Sequence, residues 1–204
     1  MTTDLDTGRL SLIEGPAIEP VTLDEAKNQA RIDGTDDDDL ISAFIVAARE
    51  YAETFTRRAL ITQRWQLTFD GGFPRKINLP KPPLQSVQTI TYIDLNGATQ
   101  TEAASLYVVS APAGPKADFG FVVPAYSIIW PTTRSIINAV TVPFTCGYGD
   151  QPGDVPELIK TAIRLHVAEL YKMREQSLEI RGTVASAPFG VDTLLWPFRA
   201  MRFF

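Results

Sequence analysis

The sequence predicts an α+β protein with a small helical core, a β-rich insertion and an extended C-terminal tail. Apolar residues recur at helical spacing on both sides of the middle of the chain. The middle itself consists of short alternating segments separated by glycine and proline. The last residues are rich in aromatic side chains and arginine. These observations divide the chain into an N-terminal arm (1–19), a main domain (20–176, with the helical core at 20–60 and 154–176 and the β insertion at 61–153) and a C-terminal segment (177–204).

The helical core begins with a short helix that starts at a capping box. Thr22 lies three residues before Glu25, so each side chain can bond the backbone amide of the other residue. We expect this helix to run from Leu23 to about Ile32. Its apolar stripe is thin, and a helix this short must pack on another element to be stable.

A long amphipathic helix follows the acidic turn Asp36–Asp39. Aspartates at its start and Arg57-Arg58 at its end complement the helix dipole. The acidic run could also suggest a calcium site, but residues 33–44 lack the order of ligands, turn glycine and closing glutamate that such a loop needs. We therefore favour a capping role. One wide apolar face is formed by Leu40, Ile41, Phe44, Ile45, Ala48, Tyr51, Ala52 and Phe55.

The insertion is predicted to contain short strands and turns. Alternation from about Ile61 to Phe69 is typical of a half-buried strand. The turn sequence Asp94-Leu95-Asn96-Gly97 predicts a hairpin. Further strands are expected at Ile77–Leu79, Val87–Ile93, Leu106–Ser110, Phe119–Val123 and Ala139–Cys146.

The third helix is expected to begin with Asp154 or Val155 as its cap and Pro156 in its first turn. It should end between Met173 and Gln176. Its apolar face includes His166, the single histidine of the chain. A packed or interface histidine is the simpler interpretation of that residue.

Composition and charge bound the possible functions. A hydrophobic content of 45% and a charged content of 21% are ordinary for a folded protein. The net charge of −5 provides no general attraction for nucleic acid. Residues 1–60 carry 13 acidic and 6 basic side chains, whereas residues 155–204 carry 5 and 7. This asymmetry suits head-to-tail contacts between copies, contact with a charged partner, or simply solvated faces.

The chain offers few groups for catalysis, metal binding or membrane insertion. Its single cysteine, Cys146, excludes an internal disulfide, fits a reducing cytoplasm and is expected to be a core residue. A single histidine excludes histidine dyads and most zinc sites. No phosphate-binding glycine loop is present, and no apolar run approaches the roughly 20 residues of a membrane span. We predict no catalysis, no cofactor and no metal.

The aromatic and arginine cluster at the C-terminus has two interpretations. It could fold back on the core of its own chain, or it could dock on another chain. Aromatic residues and arginine dominate protein–protein hot spots because they provide large, rigid contact areas with polar handles. We favour docking.

The order of these segments resembles the head-to-tail connector (adaptor) proteins of long-tailed bacteriophages, prophages and gene transfer agents. The resemblance covers roughly residues 20–175. It is carried by Pro20-Val21-Thr22-Leu23-Asp24-Glu25-Ala26-Lys27, Leu40-Ile41, Ala47-Ala48-Arg49-Glu50, Thr56 to Trp65, Pro82 to Val87, Tyr92-Ile93-Asp94, Trp130-Pro131, Gly147-Tyr148-Gly149 and Val155-Pro156.

The resemblance implies a structural virion protein without catalysis or cofactor. Such proteins form a ring, commonly dodecameric, in the neck between head and tail, and are made in the cytoplasm of the bacterial host. Expected partners are copies of the chain, the portal protein, the next tail-completion or stopper protein, and DNA that passes through the channel without sequence-specific binding.

Two sets of residues are predicted to make these contacts. The subunit interface is expected to use the β insertion together with charged helix ends, Asp37, Asp38, Arg57 and Arg58. Portal binding is expected to use Leu195, Trp196, Phe198, Arg199, Arg202, Phe203 and Phe204. The alternative function is a bacterial protein-binding or regulatory module without catalysis, and a metal-dependent enzyme is a third, weaker possibility.

Overall fold

The computed structural model describes residues 8–176 and 189–201, and contact clustering divides the chain into two compact units. We call them the helical unit (Ala17–Ile61 and Tyr148–Phe204) and the sheet unit (Met1–Pro16 and Thr62–Gly147). The described residues form four α-helices and nine β-strands. The predicted α+β fold class is confirmed.

The elements have the following bounds. The helices are α1 (Leu23–Ala30), α2 (Asp38–Thr56), α3 (Glu157–Gln176) and α4 (Phe189–Leu195), with short 3-10 turns at Ala104–Leu106, Pro152–Asp154 and Trp196–Phe198. The strands are β1 (Arg9–Glu14), β2 (Gln63–Phe69), β3 (Ile77–Leu79), β4 (Leu84–Val87), β5 (Thr91–Ile93), β6 (Thr99–Thr101), β7 (Tyr107–Ser110), β8 (Gly120–Pro124) and β9 (Val140–Cys146).

Helix α1 begins with the predicted capping box. Thr22 Oγ1 accepts a hydrogen bond from the Glu25 amide at 3.2 Å, and Glu25 Oε2 accepts one from the Thr22 amide at 2.8 Å. The helix ends at Ala30, earlier than predicted, because Arg31 adopts a left-handed conformation with φ of 56°. Helices α2 and α3 lie close to their predicted bounds.

The core of the helical unit lies between the apolar faces of α2, α3 and α4. Each face repeats at helical spacing and is shielded from solvent. Burial of each large apolar side chain contributes about 1.5–3 kcal/mol. The buried residues are Ile41, Ile45, Ala48 and Ala52 of α2, Ile159, Ala162, Ile163 and Val167 of α3, and Val191 and Leu195 of α4.

The C-terminal segment differs from the extended tail that the sequence predicts. Residues Phe189–Leu195 form α4, which packs on α2 and α3. The glycine and small residues before it suggested a flexible tether, but the apolar side chains of Val191 and Leu195 are buried on the core and stabilise a helix there. Residues 177–188 of the predicted tether lie outside the described residues.

The larger sheet of the sheet unit is organised around β9. Strand β2 pairs antiparallel with β9 from Gln63 opposite Cys146 to Phe69 opposite Val140, and β1 pairs with the other side of β2. Strands β4 and β5 pair with β9, and β6 forms the predicted hairpin with β5. A second sheet has the order β3-β8-β7.

The strand predicted at Val87–Ile93 is divided by Pro143 of β9. The Pro143 carbonyl accepts a hydrogen bond from the Gln88 amide at 2.9 Å. The carbonyl and the amide of one strand residue point to the same side, so an amide hydrogen at position 143 would also have pointed toward this segment. Because proline cannot donate to the ladder, regular pairing stops there. Strand β4 ends at Val87 and β5 begins at Thr91.

Candidate assembly surfaces

The C-terminal residues predicted to bind a portal occupy different environments. Leu195 and Phe198 are buried in the core of the helical unit. Trp196 is 54% exposed, and Arg199 is partly exposed. Arg202, Phe203 and Phe204 lie outside the described residues. Within the described segment, an external partner would therefore meet Trp196 and Arg199 rather than Leu195 and Phe198.

Polar contacts attach this segment to α2. The Ala200 amide donates to the Thr56 carbonyl at 2.8 Å, and Arg58 Nε donates to the Phe198 carbonyl. The Tyr51 hydroxyl donates to Asp192 Oδ1 at 2.6 Å. Burial, followed by the hydrogen bond and negative charge of Asp192, raises the pKa of Tyr51 to about 12. Tyr51 therefore stays protonated and acts as a donor.

A partly exposed aromatic patch, formed by Phe55, Trp196 and Arg199, lies beside these contacts. The Phe55 and Trp196 rings meet edge to face with centroids 6.3 Å apart. The Arg199 guanidinium carbon lies 5.5 Å from the Phe55 centroid and 5.3 Å from the Trp196 centroid, within cation–π range. Exposed Met201 follows close by in the sequence. The patch combines rigid aromatic area with a cation, which is the composition of protein-binding hot spots.

The four residues predicted at the subunit interface are not gathered into one exposed surface. Asp37 Oδ2 accepts from the Tyr171 hydroxyl, and Asp38 Oδ1 accepts from Lys27 Nζ, each at 2.6 Å. Arg58 is buried, whereas Arg57 is exposed at the left-handed end of α2. Asp37, Asp38 and Arg58 thus join elements of the helical unit.

A buried ionic network in α2 was missed by the sequence analysis. Arg49 Nε donates to Glu19 Oε2 at 2.8 Å, and Arg49 Nη1 donates to Glu53 Oε2 at 3.2 Å. Glu53 Oε1 accepts from the Leu60 amide at 2.9 Å. The spacing of Arg49 and Glu53 along the helix is the one available sequence signal, but it does not show that the pair is buried. The network secures the chain after α2.

An exposed apolar loop connects β8 to β9 and was also missed. The exposed fractions are 98% for Tyr126, 87% for Ile129 and 70% for Ile137. Arg134 is the single charged residue between Ala125 and Asn138. A tyrosine and several isoleucines in a loop with so little charge could have indicated a contact surface. Side chains of this kind are suited to burial against another chain.

The two residues considered for chemistry, Cys146 and His166, pack against other parts of the structure. Cys146 is buried, as expected for a core residue. His166 contacts the Tyr51 ring at 4.8 Å between centroids, and its buried Nδ1 has no hydrogen-bond partner among the described residues. Burial lowers the pKa of His166.

A cleft of about 430 Å³ in the helical unit is lined by Gln29, Leu165, Glu169, Lys172 and Val191, among others.

The described residues also lack two structural features. They contain no group of three or more histidine, cysteine or acidic side chains placed to hold a metal ion. None of their helices combines the length and apolar character needed to cross a bilayer.

Part of the sequence matches a connector family, and the fold matches chains in solved particles. Residues 20–111 match the family of phage gp6-like head-tail connector proteins. Among curated proteins, no sequence matches the chain. The predicted resemblance to head-to-tail connectors is confirmed by the family match over residues 20–111, and three solved structures share the fold.

The solved structures come from gene transfer agent particles. A chain in the neck of an empty particle, computed with C6 symmetry, has a TM-score of 0.74 and 20% identity, with 96% of this chain and 97% of that chain covered. A chain in the virion of the native particle has a TM-score of 0.72 and 22% identity, with coverage of 96% and 97%. A chain in the neck of the native particle, computed with C12 symmetry, has a TM-score of 0.66 and 22% identity, with coverage of 95% and 97%.

Proposed function

We propose that this protein is a structural component of the virion neck, where a ring of copies joins the head to the tail. The observation that carries the proposal is the fold shared with a neck chain over 96% of this chain. The connector family match at residues 20–111 supports it. Necks computed with C6 and C12 symmetry are consistent with a ring, which we take to be dodecameric. The protein acts without catalysis or cofactor.

The ring would contact the portal on one side and a tail-completion or stopper protein on the other. DNA would pass through the channel without sequence-specific binding. The net charge of −5 supports passage rather than retention, because a basic lining would hold phosphate groups. The protein would be synthesised in the bacterial cytoplasm before assembly.

The aromatic patch is the proposed portal-binding surface. Trp196 and Arg199 are accessible, and the predicted residues Arg202, Phe203 and Phe204 continue the chain from there. Leu195 and Phe198 would support this surface from inside the helical unit, because they pack in its core. An aromatic anchor beside a cation provides both apolar area and a polar contact for the partner.

The test is binding to the portal protein of the same particle. We expect the wild-type chain to bind, and Trp196→Ala to weaken binding by about tenfold or more, as loss of a hot-spot tryptophan does. Leu158→Ala is the matched control, because it removes an exposed apolar side chain from α3 of the same unit. Unfolding curves check that both variants are folded. Equal binding by wild type and Trp196→Ala would contradict the patch assignment, and absence of any wild-type binding would contradict the portal contact.

A further inference from the structure

Two sheet edges of the sheet unit expose large apolar side chains. Strands β1, β4 and β6 lie at edges of the larger sheet, and β3 and β7 lie at the edges of the smaller one. Exposed large apolar residues occur on β1 (Leu10, Leu12 and Ile13) and on β7 (Val108 and Val109). Over the ranges that the structure describes, no strand pairs with the outer side of either.

Neither edge carries a charge or a proline in its central residues. Natural edge strands are blunted by lysine, proline or inward-pointing charge. The segment Leu10–Ile13 and the whole of β7 contain no charged residue and no proline. The charges at the two ends of β1 are paired within the same unit, since Arg9 pairs with Asp70 at 2.7 Å and Glu14 with Arg64 at 3.3 Å.

The two edges also match in length. A register shift between Leu12 and Glu14 makes Ile13 the bulged residue, which leaves Arg9–Leu12 as the regular part of β1. Strand β7 is 4 residues long, the same length as that regular part. The Ala125 amide donates to the Leu106 carbonyl at 2.9 Å, so the exposed loop with Tyr126 begins beside β7 and would enlarge the contact.

We propose that β1 of one copy pairs with β7 of the next copy and so links neighbouring subunits. The pairing partner of each edge strand is a second copy of the chain, because a ring requires two unlike, mutually complementary patches on every subunit. Pairing of β1 with β1 would instead close a twofold dimer and stop assembly. This inference rests on the proposed ring and identifies the surface that forms it.

Cysteine cross-linking in portal-bound assemblies tests the pairing. We expect a chain with both Leu12→Cys and Val108→Cys to form covalent ladders of many subunits under mild oxidation, because opposed strand residues lie close enough for a disulfide. A mixture of the two single variants should give dimers. The Leu12→Cys variant alone should give none. The native Cys146 is buried, which leaves it unavailable for cross-linking.

A matched control uses the polar edge of the same sheet. Leu12→Cys combined with Gln100→Cys on β6 should remain monomeric on denaturing gels, since that edge exposes Thr99, Gln100 and Thr101. As a second measurement, Leu12→Lys should weaken ring assembly by about tenfold while Gln100→Lys leaves it unchanged. Circular dichroism confirms that both lysine variants are folded.

The outcomes separate this inference from the proposed function. Suppose that the wild-type chain forms rings on the portal but the variant with both Leu12→Cys and Val108→Cys gives no cross-links. This result would overturn the strand pairing and leave the connector role intact. Dimers from Leu12→Cys alone would overturn it in favour of twofold association. Failure of the wild-type chain to form a ring would overturn both proposals.

Discussion

Arg57 and Arg58 are neighbours in the sequence but have different roles in the structure. Arg57 ends α2 in a left-handed conformation with φ of 59°, and its side chain is exposed. Arg58 is buried and donates to the Phe198 carbonyl of the C-terminal segment. Arg58 therefore secures that segment, whereas Arg57 is available to solvent or to a partner.

Substitution of each arginine separates these roles. Arg58→Ala should lower the free energy of unfolding by about 1–3 kcal/mol, because it leaves a buried carbonyl without its donor. Loosening of the segment should also increase tryptic cleavage at Arg199. Urea unfolding and limited proteolysis measure the two effects.

Arg57→Ala is the matched control and should change stability by no more than about 0.5 kcal/mol, as exposed substitutions usually do. Equal stability of Arg58→Ala and the wild type would contradict the attachment that we describe.

The partners of individual charged residues were beyond sequence reasoning. Asp37 and Asp38 were predicted at a subunit interface because they are acidic and lie at a helix end. The structure pairs them with Tyr171, far along the chain, and with Lys27 of the preceding helix. Such pairs depend on how α1 and α3 pack on α2, and charge at a helix terminus carries no information about that packing.

At the scale of elements, strong local signals gave the best predictions. The bounds of α2 and α3 follow from apolar periodicity sustained over 19 and 20 residues. Strand β1 was missed because all 6 of its residues are exposed, so it lacks the alternation by which a half-buried strand is recognised. Helix α4 was missed because its stability comes from packing on α2 and α3 rather than from local sequence.

The packing of α2, α3 and α4 around His166 predicts a pH dependence of stability. Burial lowers the pKa of His166 from its usual value, and the nearby carboxylate of Asp192 partly opposes this shift. His166 therefore binds a proton more readily in the unfolded chain than in the folded chain. The contribution of His166 to stability is complete above about pH 6.5 and is lost as the pH falls below that value.

Unfolding free energies of wild type and His166→Gln, compared between about pH 7 and pH 5.5, measure this effect. Wild type should lose more stability than the variant over that interval, because glutamine does not titrate. Tyr51 stays protonated throughout, since its pKa is about 12. The same loss in both proteins would show that His166 is not the group responsible.

At the scale of the molecule, the surfaces suit assembly. The aromatic patch belongs to the helical unit, and the apolar edges of β1 and β7 and the apolar loop belong to the sheet unit. The α+β class was predictable from alternating and helical periodicities. The exposed edges were not predictable from the sequence. Exposure of Leu12 and Val108 depends on strand order, which is set by long-range pairing with β2 and β8.

The most direct test of the connector role is an electron cryomicroscopy map of the neck in particles that encode this chain. The account predicts density for a ring of copies of this fold between head and tail, surrounding the path of the DNA. A complete neck in which every density is explained by other proteins, with this chain absent from the purified particle, would contradict it.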